Sequence, residues 1–454
     1  MRRFVLRWAP LLVCSCAAFA GGACATFFGG GAGTARGETP YAVLDLLGHA
    51  LVAIENDYVD PVDRGKLLEG AVRGMVAELD PHSSYMDPVE FQAFDSDTQG
   101  QFGGIGVEVD VRGGLLVVMA PIEGSPAERA GLRAGDVVVS VEGRDPTIEP
   151  LDKLVRRLRG APGTHVIIGV RRPPAEAVVA YDLVRAVIHV PSVASKLLTG
   201  RIGYVRVKQF QDATHDELLS AATELRRRAG GALAGVVLDL RGNPGGLVDQ
   251  AADVADEFLS GGIIYTTRHR GQVVDTIGAR PGGAFVAAPC VVIVDKYTAS
   301  AAELVAGALQ DNHRATVVGE TTFGKGSVQA VIALPKGSGM RLTVARYYTP
   351  SGRAIQAEGV HPDIRVESRA QIDAPWVREE GLEGHLEAEP TQQSARPATS
   401  DVIVVDAGTA VHPAEVASKE AQLPDDPERG DDAVLRVAWR ALLRATHAEP
   451  VAPR

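Results

Sequence analysis

Three short segments of this chain carry residues that could take part in catalysis. They are DLRGNPGG at 239–246, TASAAELVAGALQD at 298–311 and TTFGKGSVQ at 321–329. The second holds a serine before an apolar run, the third holds a lysine between two glycines, and the first ends in two glycines that would let backbone N–H groups approach a ligand. A nucleophile, a base and backbone donors are the parts that nucleophilic catalysis at a carbonyl requires.

Ser300 is the candidate nucleophile, and it also has a simpler structural interpretation. It directly precedes a run with helical spacing, and Glu303 follows three residues later, which matches the capping box S-x-x-E. A serine at a helix start nevertheless lies beside unpaired backbone N–H groups, which can stabilise an oxyanion as well as bind a side-chain oxygen. This segment alone leaves both roles open.

A serine nucleophile needs a base, and Lys325 is one candidate. An ordinary lysine has a pKa of about 10.4 and is protonated at pH 7, so burial beside Phe323 would have to lower its pKa to roughly 7–8. Gln329 could contact this lysine only if the flanking glycines bend the strand between them. Two alternatives stay open: a surface lysine in a glycine-rich turn, and a Ser-His-Asp arrangement with a histidine outside any recognisable motif.

The lysine segment also matches most of a phosphate-binding pattern. Gly319, Gly324 and Lys325 satisfy G-x-x-x-x-G-K-[ST], in which backbone N–H groups surround phosphates and the lysine neutralises their charge. Gly326 stands where Ser or Thr would hold Mg²⁺, so the last position fails. Nucleotide binding is therefore the weaker hypothesis for this segment.

Composition bounds the size and the partners of the protein. The 454 residues are 45% hydrophobic, too long a chain for one ordinary core, so we expect two or three folded domains. The formal net charge is −11 and no long Lys/Arg run occurs, which argues against nucleic acid as a partner, since that affinity comes from phosphate neutralisation. Cys290 lies in an apolar run and is expected to be a small buried side chain.

The N-terminus resembles an export signal. Three arginines in the first seven residues precede an uncharged run from Trp8 to Phe28 that is rich in small residues. The same run reaches the ~20 residues needed to span a bilayer, so residues 1–25 are expected to be a cleaved signal peptide or a membrane anchor. We therefore expect an exported protein of the periplasm or cell envelope, held at the inner membrane if the leader is kept.

The apolar pattern changes along the chain and predicts successive domains. Residues 38–97 have helical spacing, 98–188 contain short β-branched runs separated by glycines, and 189–375 alternate strands with helices, which predicts stacked βαβ units. Residues 376–425 are rich in Ala, Glu, Pro, Thr and Gln and predict a disordered linker. The helical spacing at 426–447 predicts a C-terminal amphipathic helix.

Taken together and in this order, the three segments resemble the signature blocks of the C-terminal processing peptidases, also called tail-specific proteases. The resemblance implies that Ser300 is the nucleophile, Lys325 the general base and Gln329 the residue that orients the lysine. It also implies an oxyanion hole made by the backbone N–H groups of Gly245 and Ala301, with the choice between the two adjacent glycines left open. The family often has Ser-Ala-Ser-Ala-Ser-Glu where this chain has TASAAE, which keeps the nucleophile position.

Two further regions extend the resemblance. NDYVDPVDRGKLLEGAVRGMVAELDPHSSYMDP at 56–88 resembles the N-terminal helical segment of the family, and FGGIGVEV at 102–109 with GSPAERAGLRAGDVVVSVEG at 124–143 resembles a PDZ domain. In such a domain backbone N–H groups of a glycine-rich loop bind the carboxylate of a peptide. The contacts implied here are Gly104, Ile105 and Gly106, with Val107 shaping the side-chain pocket. A plain glycine-rich turn is the alternative.

The resemblance implies an α+β multidomain fold with an N-terminal helical segment, a PDZ domain and a ClpP/crotonase-like αβ peptidase core. It implies a serine endopeptidase that recognises and cleaves exported proteins near their C-termini through a Ser/Lys dyad, without metal or cofactor. The expected partners are proteins or peptides with free C-termini, and a homo-oligomer or an activating partner is compatible with the sequence. A catalytically silent PDZ adaptor that binds protein C-termini is the alternative function.

Overall fold

The chain divides into two compact units, residues 1–72 and 73–454. The computed structural model describes residues 42–148, 151–368, 377–388, 401–405 and 423–447. In the first unit helix α1 spans Ala42–Asp57, and α2 begins at Arg64 and continues to Ala77. Arg64 donates to both carboxylate oxygens of Glu55, at 2.5 and 2.6 Å. The predicted leader, 1–25, lies outside the described residues, and among those described no helix is long and apolar enough to cross a membrane.

The second unit begins with a short strand, a capped helix and an antiparallel sheet. Strand β1 (Ser84–Met86) leads into helix α3 (Pro88–Thr98), at whose start the side chains of Asp87 and Glu90 each accept the other's backbone N–H at 2.9 Å. The next elements are β2 (Gln101–Gly104), β3 (Val107–Arg112), β4 (Leu115–Pro121), α4 (Pro126–Arg129), β5 (Val137–Val141), α5 (Leu151–Leu158), β6 (His165–Arg171), β7 (Val178–Val184) and β8 (Ala186–His189). Strands β3 to β7 form one sheet in chain order, and β2 pairs with β8.

A seven-stranded sheet forms the centre of the second unit. The remaining elements are β9 (Val193–Leu198), β10 (Ile202–Val207), α6 (Thr214–Ala229), β11 (Gly235–Asp239), α7 (Val248–Asp256), β12 (Ile263–His269), β13 (Gln272–Gly278), β14 (Cys290–Val294), α8 (Ala301–Asp311), β15 (Ala315–Gly319), β16 (Ser327–Ala333), β17 (Gly339–Tyr348), β18 (Ile364–Ser368), β19 (Asp401–Val405) and α9 (Ala433–His447). The spatial order is β9-β10-β11-β14-β15-β18-β19. Strand β9 is antiparallel to β10 and the other neighbours are parallel, as stacked βαβ units require.

Both faces of this sheet are buried because successive side chains point to opposite sides. On β11, Val236 and Leu238 belong to an apolar cluster with side chains of α6, α7 and α8. Val237, between them, belongs to a second cluster with Leu435 and Trp439 of α9. The sheet is therefore a middle layer between three helices on one face and the C-terminal helix on the other.

Helix α9 is also tied to the sheet by charge. The predicted helix, 426–447, begins at residue 433 in the structure, after a short turn at Pro427–Arg429. Just before it, Asp432 accepts two hydrogen bonds from the guanidinium of Arg241, at 3.1 and 2.8 Å. Arg241 follows β11 and also pairs with the buried Asp239. The C-terminal helix thus reaches the segment that begins two residues after β11.

A smaller antiparallel sheet brings distant segments beside the lysine segment. Its long strand β17 pairs on one side with β16 and on the other with β1 and β12, and β13 pairs with β12. Strand β16 begins two residues after Lys325. The turn that precedes β1 therefore lies close to the strand that follows the candidate base.

The prediction of a disordered linker at 376–425 is wrong for two of its segments. Residues 377–388, called here the strap segment, pack on the core, where Glu379 is fully buried and Arg378 donates to the carbonyl of Thr322 at 3.1 Å. Residues 401–405 form β19 and pair with β18. The polar composition of the whole region predicted disorder, but hydrogen bonds hold the strap segment and strand pairing holds the apolar run DVIVV at 401–405. Except for 423–425, the other residues of the predicted linker lie outside the described residues.

Candidate active site

Ser300 immediately precedes helix α8, and its backbone is strained. Its φ is +54° and its ψ −120°, a region that residues with a side chain seldom adopt. Strain of this kind costs about 1–3 kcal/mol and persists only where the surroundings hold it, often at a functional position. The residue is 8% exposed. A helix cap requires neither this burial nor this backbone strain.

Glu303 joins Ser300 to the lysine segment. Its carboxylate is fully buried and accepts the backbone N–H groups of Ser300, Gly324 and Lys325, each at 2.8 Å. It also accepts the hydroxyl of Thr322. Burial raises the pKa of Glu303 to about 7, although these four donors oppose the rise. One carboxylate therefore fixes the start of α8 relative to the loop that carries the lysine.

Lys325 lies in the loop between β15 and β16, and its amine is partly withdrawn from water. Burial lowers the pKa of Lys325 to about 8, and the positive charge of Arg341 acts in the same direction. Three carboxylates oppose this effect, those of Glu379, Glu303 and Asp80. With a pKa of about 8, roughly a tenth of the amine is neutral at pH 7, which is the protonation state that a general base needs.

The lysine loop does not have the geometry of a phosphate-binding loop. In that motif the lysine lies at the start of a helix whose N–H groups face the phosphates. Here Lys325 leads into strand β16, and the N–H groups of Gly324 and Lys325 donate to Glu303. This geometry gives the nucleotide-binding hypothesis no support.

Gln329 lies in β16 beside a register shift in the pairing with β17. Its amide donates to Ser327 Oγ at 2.8 Å and to Thr343 Oγ1 at 3.3 Å, and Thr343 in turn donates to Asp80 at 3.1 Å. The orienting contact expected between Gln329 and the Lys325 amine is not among the hydrogen bonds found in the described part of the chain. The structure brings the two residues to one cavity without joining them.

Gly245 lies directly against the start of α8. A Cβ atom on Gly245 would be 2.9 Å from the Cβ of Ser300 and 3.1 Å from the backbone nitrogen of Ala301. Only glycine fits there, and its φ of +103° also favours glycine. The N–H of Gly245 donates to Asn243 Oδ1 at 2.8 Å. The two expected oxyanion donors are therefore neighbours, and the glycine already has an acceptor.

One cavity of about 750 Å³ contains the candidate nucleophile and base. Its lining includes Ser300, Lys325, Gly245, Gly246 and Gln329, with an apolar wall formed by Val248, Tyr265, Val328 and Tyr347. No histidine is among the described residues that line it, so the arrangement favours a lysine base over a Ser-His-Asp triad. Nor do the described ranges hold a cluster of His, Cys, Asp or Glu that could bind a metal ion.

The expected peptide-binding residues lie around the loop between β2 and β3. Gly104 ends β2, Ile105 is buried in the apolar cluster of the predicted PDZ domain, and Val107 packs against that cluster. Gly106 has a φ of +72°, and a Cβ there would lie 2.2 Å from that of Ser125. Strand β3 is the edge of its sheet, so its outer side can accept an added peptide strand.

Four residues contact the site or act on the charge of Lys325 in ways that the sequence did not reveal. Glu303 has the spacing of a helix cap, which says nothing of its bonds to the lysine loop. Asp80 stands in DPHSSYMDP at 80–88, which the sequence indicated only as part of the N-terminal helical segment. Arg341 and Glu379 stand in no motif, and only the folded chain brings them to the lysine.

Three family models match this chain. The chain matches the model of peptidase family S41 over residues 201–366, a PDZ domain over 117–172 and the N-terminal domain of the activating protease CtpB over 33–89. A carboxy-terminal-processing protease of Bartonella bacilliformis is 41% identical over 332 residues, which are 73% of this chain and 76% of that protein.

More distant relatives carry similar names. The carboxy-terminal processing protease CtpA of Bacillus subtilis is 34% identical over 73% of this chain and 71% of its own. A probable CtpA-like serine protease of Staphylococcus haemolyticus is 36% identical over 70% of this chain and 64% of its own. The solved structure of a photosystem II D1 C-terminal processing protease is 32% identical and covers 72% of this chain and 93% of that one, with a TM-score of 0.43.

The match to the B. bacilliformis protein spans about three quarters of both chains at an identity that establishes common descent. Ser300, with its strained backbone, and the half-buried Lys325 both lie within the matched S41 region. This chain belongs to the carboxy-terminal processing proteases, the serine peptidases of family S41 that carry a PDZ domain.

Proposed function

We propose that Ser300 is the nucleophile and Lys325 the general base of a serine endopeptidase that cleaves exported proteins near their C-termini. One observation carries this proposal: the carboxylate of Glu303 accepts the backbone N–H groups of both residues at 2.8 Å. This pair of hydrogen bonds is called here the Glu303 clamp. Both also line one cavity, and the lysine has a pKa of about 8. Nucleophile and base are thus held together in a form that can exchange a proton near neutral pH.

In the proposed reaction the neutral Nζ of Lys325 accepts the proton of the Ser300 hydroxyl while Oγ bonds to the peptide carbonyl carbon. The π electrons of the carbonyl move to its oxygen. The lysine then gives its proton to the leaving amine as the C–N bond breaks, which leaves an ester on Ser300. Water repeats the sequence: Lys325 takes its proton as it attacks the ester and returns that proton to Oγ.

The negative oxygen of the intermediate needs donors, and the start of α8 offers them. The N–H of Ala301 is at the first turn of the helix, where N–H groups lack intrahelical acceptors. Gly245 lies beside it, and its N–H would be shared between Asn243 Oδ1 and the oxyanion. Loss of one such donor typically lowers kcat by about 10²–10³-fold.

The substrates are proposed to be exported proteins with free, apolar C-termini. The PDZ domain supports selection at the C-terminus, since its glycine loop and edge strand are suited to a peptide carboxylate. Export is inferred from the leader-like sequence of the first 28 residues. An envelope location would place the enzyme with such substrates.

The test compares the full chain with Ser300→Ala and Lys325→Ala on an unstructured protein that has a free apolar C-terminus, with the products mapped by mass spectrometry. Each variant should lower kcat/KM by at least about 10³-fold, and the double variant should be little worse, because the pair acts as a unit. Lys336→Ala, which removes an exposed lysine at a turn, is the control and should cleave like the wild type.

Two results would redirect this assignment. Substantial turnover by Lys325→Ala would place the base elsewhere. A wild-type chain that binds the test protein, does not cut it and does not react at Ser300 with a serine-directed covalent probe would favour the adaptor function.

A further inference from the structure

The strap segment contacts the backbone on both sides of Lys325. The N–H of Glu379 donates to the carbonyl of Phe323 at 3.2 Å, and its carboxylate accepts the amide of Gln356 at 2.8 Å. The Oε1 of Gln356 accepts the N–H of Gly326 at 3.0 Å. Glu379 is thus bound to the residue two positions before the lysine and, through Gln356, to the residue one position after it.

Glu379 is a buried, ionised carboxylate. It is 0% exposed, and it also accepts a hydrogen bond from His82 Nε2 at 2.7 Å. Burial alone would raise the pKa of Glu379, but the hydrogen bonds from His82 and Gln356, together with the charge of Lys325, hold the pKa below its usual value. A buried charge is costly, and a neutral glutamine would fill the same volume at lower cost. The negative charge therefore calls for a reason beyond packing.

The amine of Lys325 supplies that reason. Four charged groups act on it from four elements: Arg341 of β17, Glu379 of the strap segment, Glu303 of α8 and Asp80 of the turn before β1. Glu303 is already committed to four donors, and Asp80 binds Ser83 and Thr343. Glu379 differs from the other two carboxylates in its position. It lies outside helix α8, and it is bound to the lysine loop both directly and through Gln356.

We propose that the strap segment is a positioning element for the general base, in which Glu379 holds the loop around Lys325 and supplies a negative charge that keeps its amine basic. This proposal rests on the assignment of Lys325 as the base. It adds a role for a segment that lies outside the three signature segments. Glu379 acts through Lys325 and does not itself contact the substrate.

The first test measures the amine directly and needs no catalysis. In Ser300→Ala chains, the rate at which Lys325 reacts with acetic anhydride is followed by mass spectrometry between pH 6 and 10, against an internal amine standard. Glu379→Gln keeps the size of the side chain and removes its charge, so the midpoint for Lys325 should move to lower pH. Glu383→Gln, an exposed glutamate of the same segment, should leave the midpoint unchanged.

The second test follows kcat and KM over the same pH range with Ser300 intact. In Glu379→Gln the midpoint of kcat/KM should move to lower pH by the same amount as in the labelling. A fall of one unit from about 8 would raise the neutral fraction at pH 6.5 from about 3% to about 24%, an eightfold change. Gln356→Ala removes the bonds that join Glu379 to Gly326, so kcat should fall about tenfold with KM unchanged.

The outcomes separate this proposal from the assignment of the base. An unchanged labelling midpoint in Glu379→Gln, or a full kcat in Gln356→Ala, would overturn the positioning role. If Glu379→Gln does not fold, the kcat of Gln356→Ala decides alone. A shifted labelling midpoint without a shifted activity profile would instead count against Lys325 as the base while upholding the effect of Glu379 on its amine.

Discussion

The carboxylate of Glu303 accepts the backbone N–H of Lys325 at 2.8 Å, from within the first turn of the helix that Ser300 precedes. The same carboxylate accepts the N–H of Ser300. Any movement of the lysine loop away from the helix must break bonds to the carboxylate of Glu303, which is costly because that group is fully buried. Nucleophile and base are therefore fixed to each other before a substrate arrives.

Replacement of Glu303 by Gln should disable the site and weaken the fold. A glutamine has one acceptor oxygen for four donors, so buried N–H groups would lose their partners, at about 1–3 kcal/mol each. We expect kcat to fall more than tenfold and the free energy of unfolding in urea to fall by about 2 kcal/mol at pH 8. Glu358→Gln, at an exposed position, should change neither. If Glu303→Gln kept the kcat of the wild type, the Glu303 clamp would not be needed for catalysis.

The stability deficit of Glu303→Gln should itself depend on pH. The pKa of Glu303 is about 7 in the folded chain and near the ordinary 4.5 when unfolded. Glu303 therefore stays protonated to a higher pH in the folded state than in the unfolded state. The wild type loses stability as the pH rises from 4.5 to 7, and the variant, which has no carboxyl group there, does not. Urea unfolding at pH 5 and pH 8 should therefore show the larger deficit at pH 5. A deficit that grew with pH would contradict the raised pKa.

The activity should rise with pH and level off above about pH 8, because only the neutral amine of Lys325 accepts the serine proton. Arg341→Met removes a positive charge that lowers the pKa of Lys325, so the midpoint of kcat/KM should move to higher pH. Arg341→Lys keeps the charge and should leave the midpoint near 8. A flat profile, measured where chemistry limits the rate, would exclude a titrating lysine.

Gly245→Ala should be nearly inactive although the substitution adds one methyl group. That methyl would lie 2.9 Å from the Cβ of Ser300 and 3.0 Å from the carbonyl oxygen of Ala299, so the nucleophile or the glycine turn must shift. We expect kcat to fall by about 10²-fold or more. Gly271→Ala is the matched control: its φ of +79° carries the same backbone strain, but nothing lies within 4 Å of the added methyl.

Substrates with a free C-terminus should be bound and cut better than the same chains ending in an amide. Amidation removes the charge that the N–H groups of Gly104, Ile105 and Gly106 are expected to bind, a loss of about 1.5–3 kcal/mol. Binding is measured with full-length Ser300→Ala, and cleavage with the wild type. If the free acid and the amide behaved equally in both assays, the PDZ domain would not select the C-terminal carboxylate.

The sequence predicted the architecture correctly where the local pattern of apolar residues matches the burial of the element. Parallel strands buried on both faces read as unbroken apolar runs, so GVVLD at 235–239 and CVVIV at 290–294 were visible as strands. Glycines at forced backbone positions, such as Gly245, were visible for a similar reason: the residue type itself reports the geometry.

What the sequence could not reveal depends on contacts between residues far apart in the chain. The spacing of Glu303 from Ser300 identifies a helix cap, yet its bonds to Gly324 and Lys325 appear only once β15 lies beside β14. The strap segment lacks periodicity, because polar bonds and not an apolar stripe hold it. Its composition therefore predicted disorder at a place where Glu379 is fully buried.

The C-terminal helix has a consequence for the order in which the protein is made. Until Leu442 has left the ribosome, one face of the central sheet, including Val237 and Ile293, has no cover, and Arg241 lacks the carboxylate of Asp432. Arg241 stands four residues before Gly245, in the turn that borders the nucleophile. A nascent chain is therefore incomplete in its core and at the turn that precedes Gly245. We therefore expect a chain that ends before α9 to lack this part of the core packing and the Arg241–Asp432 pair together.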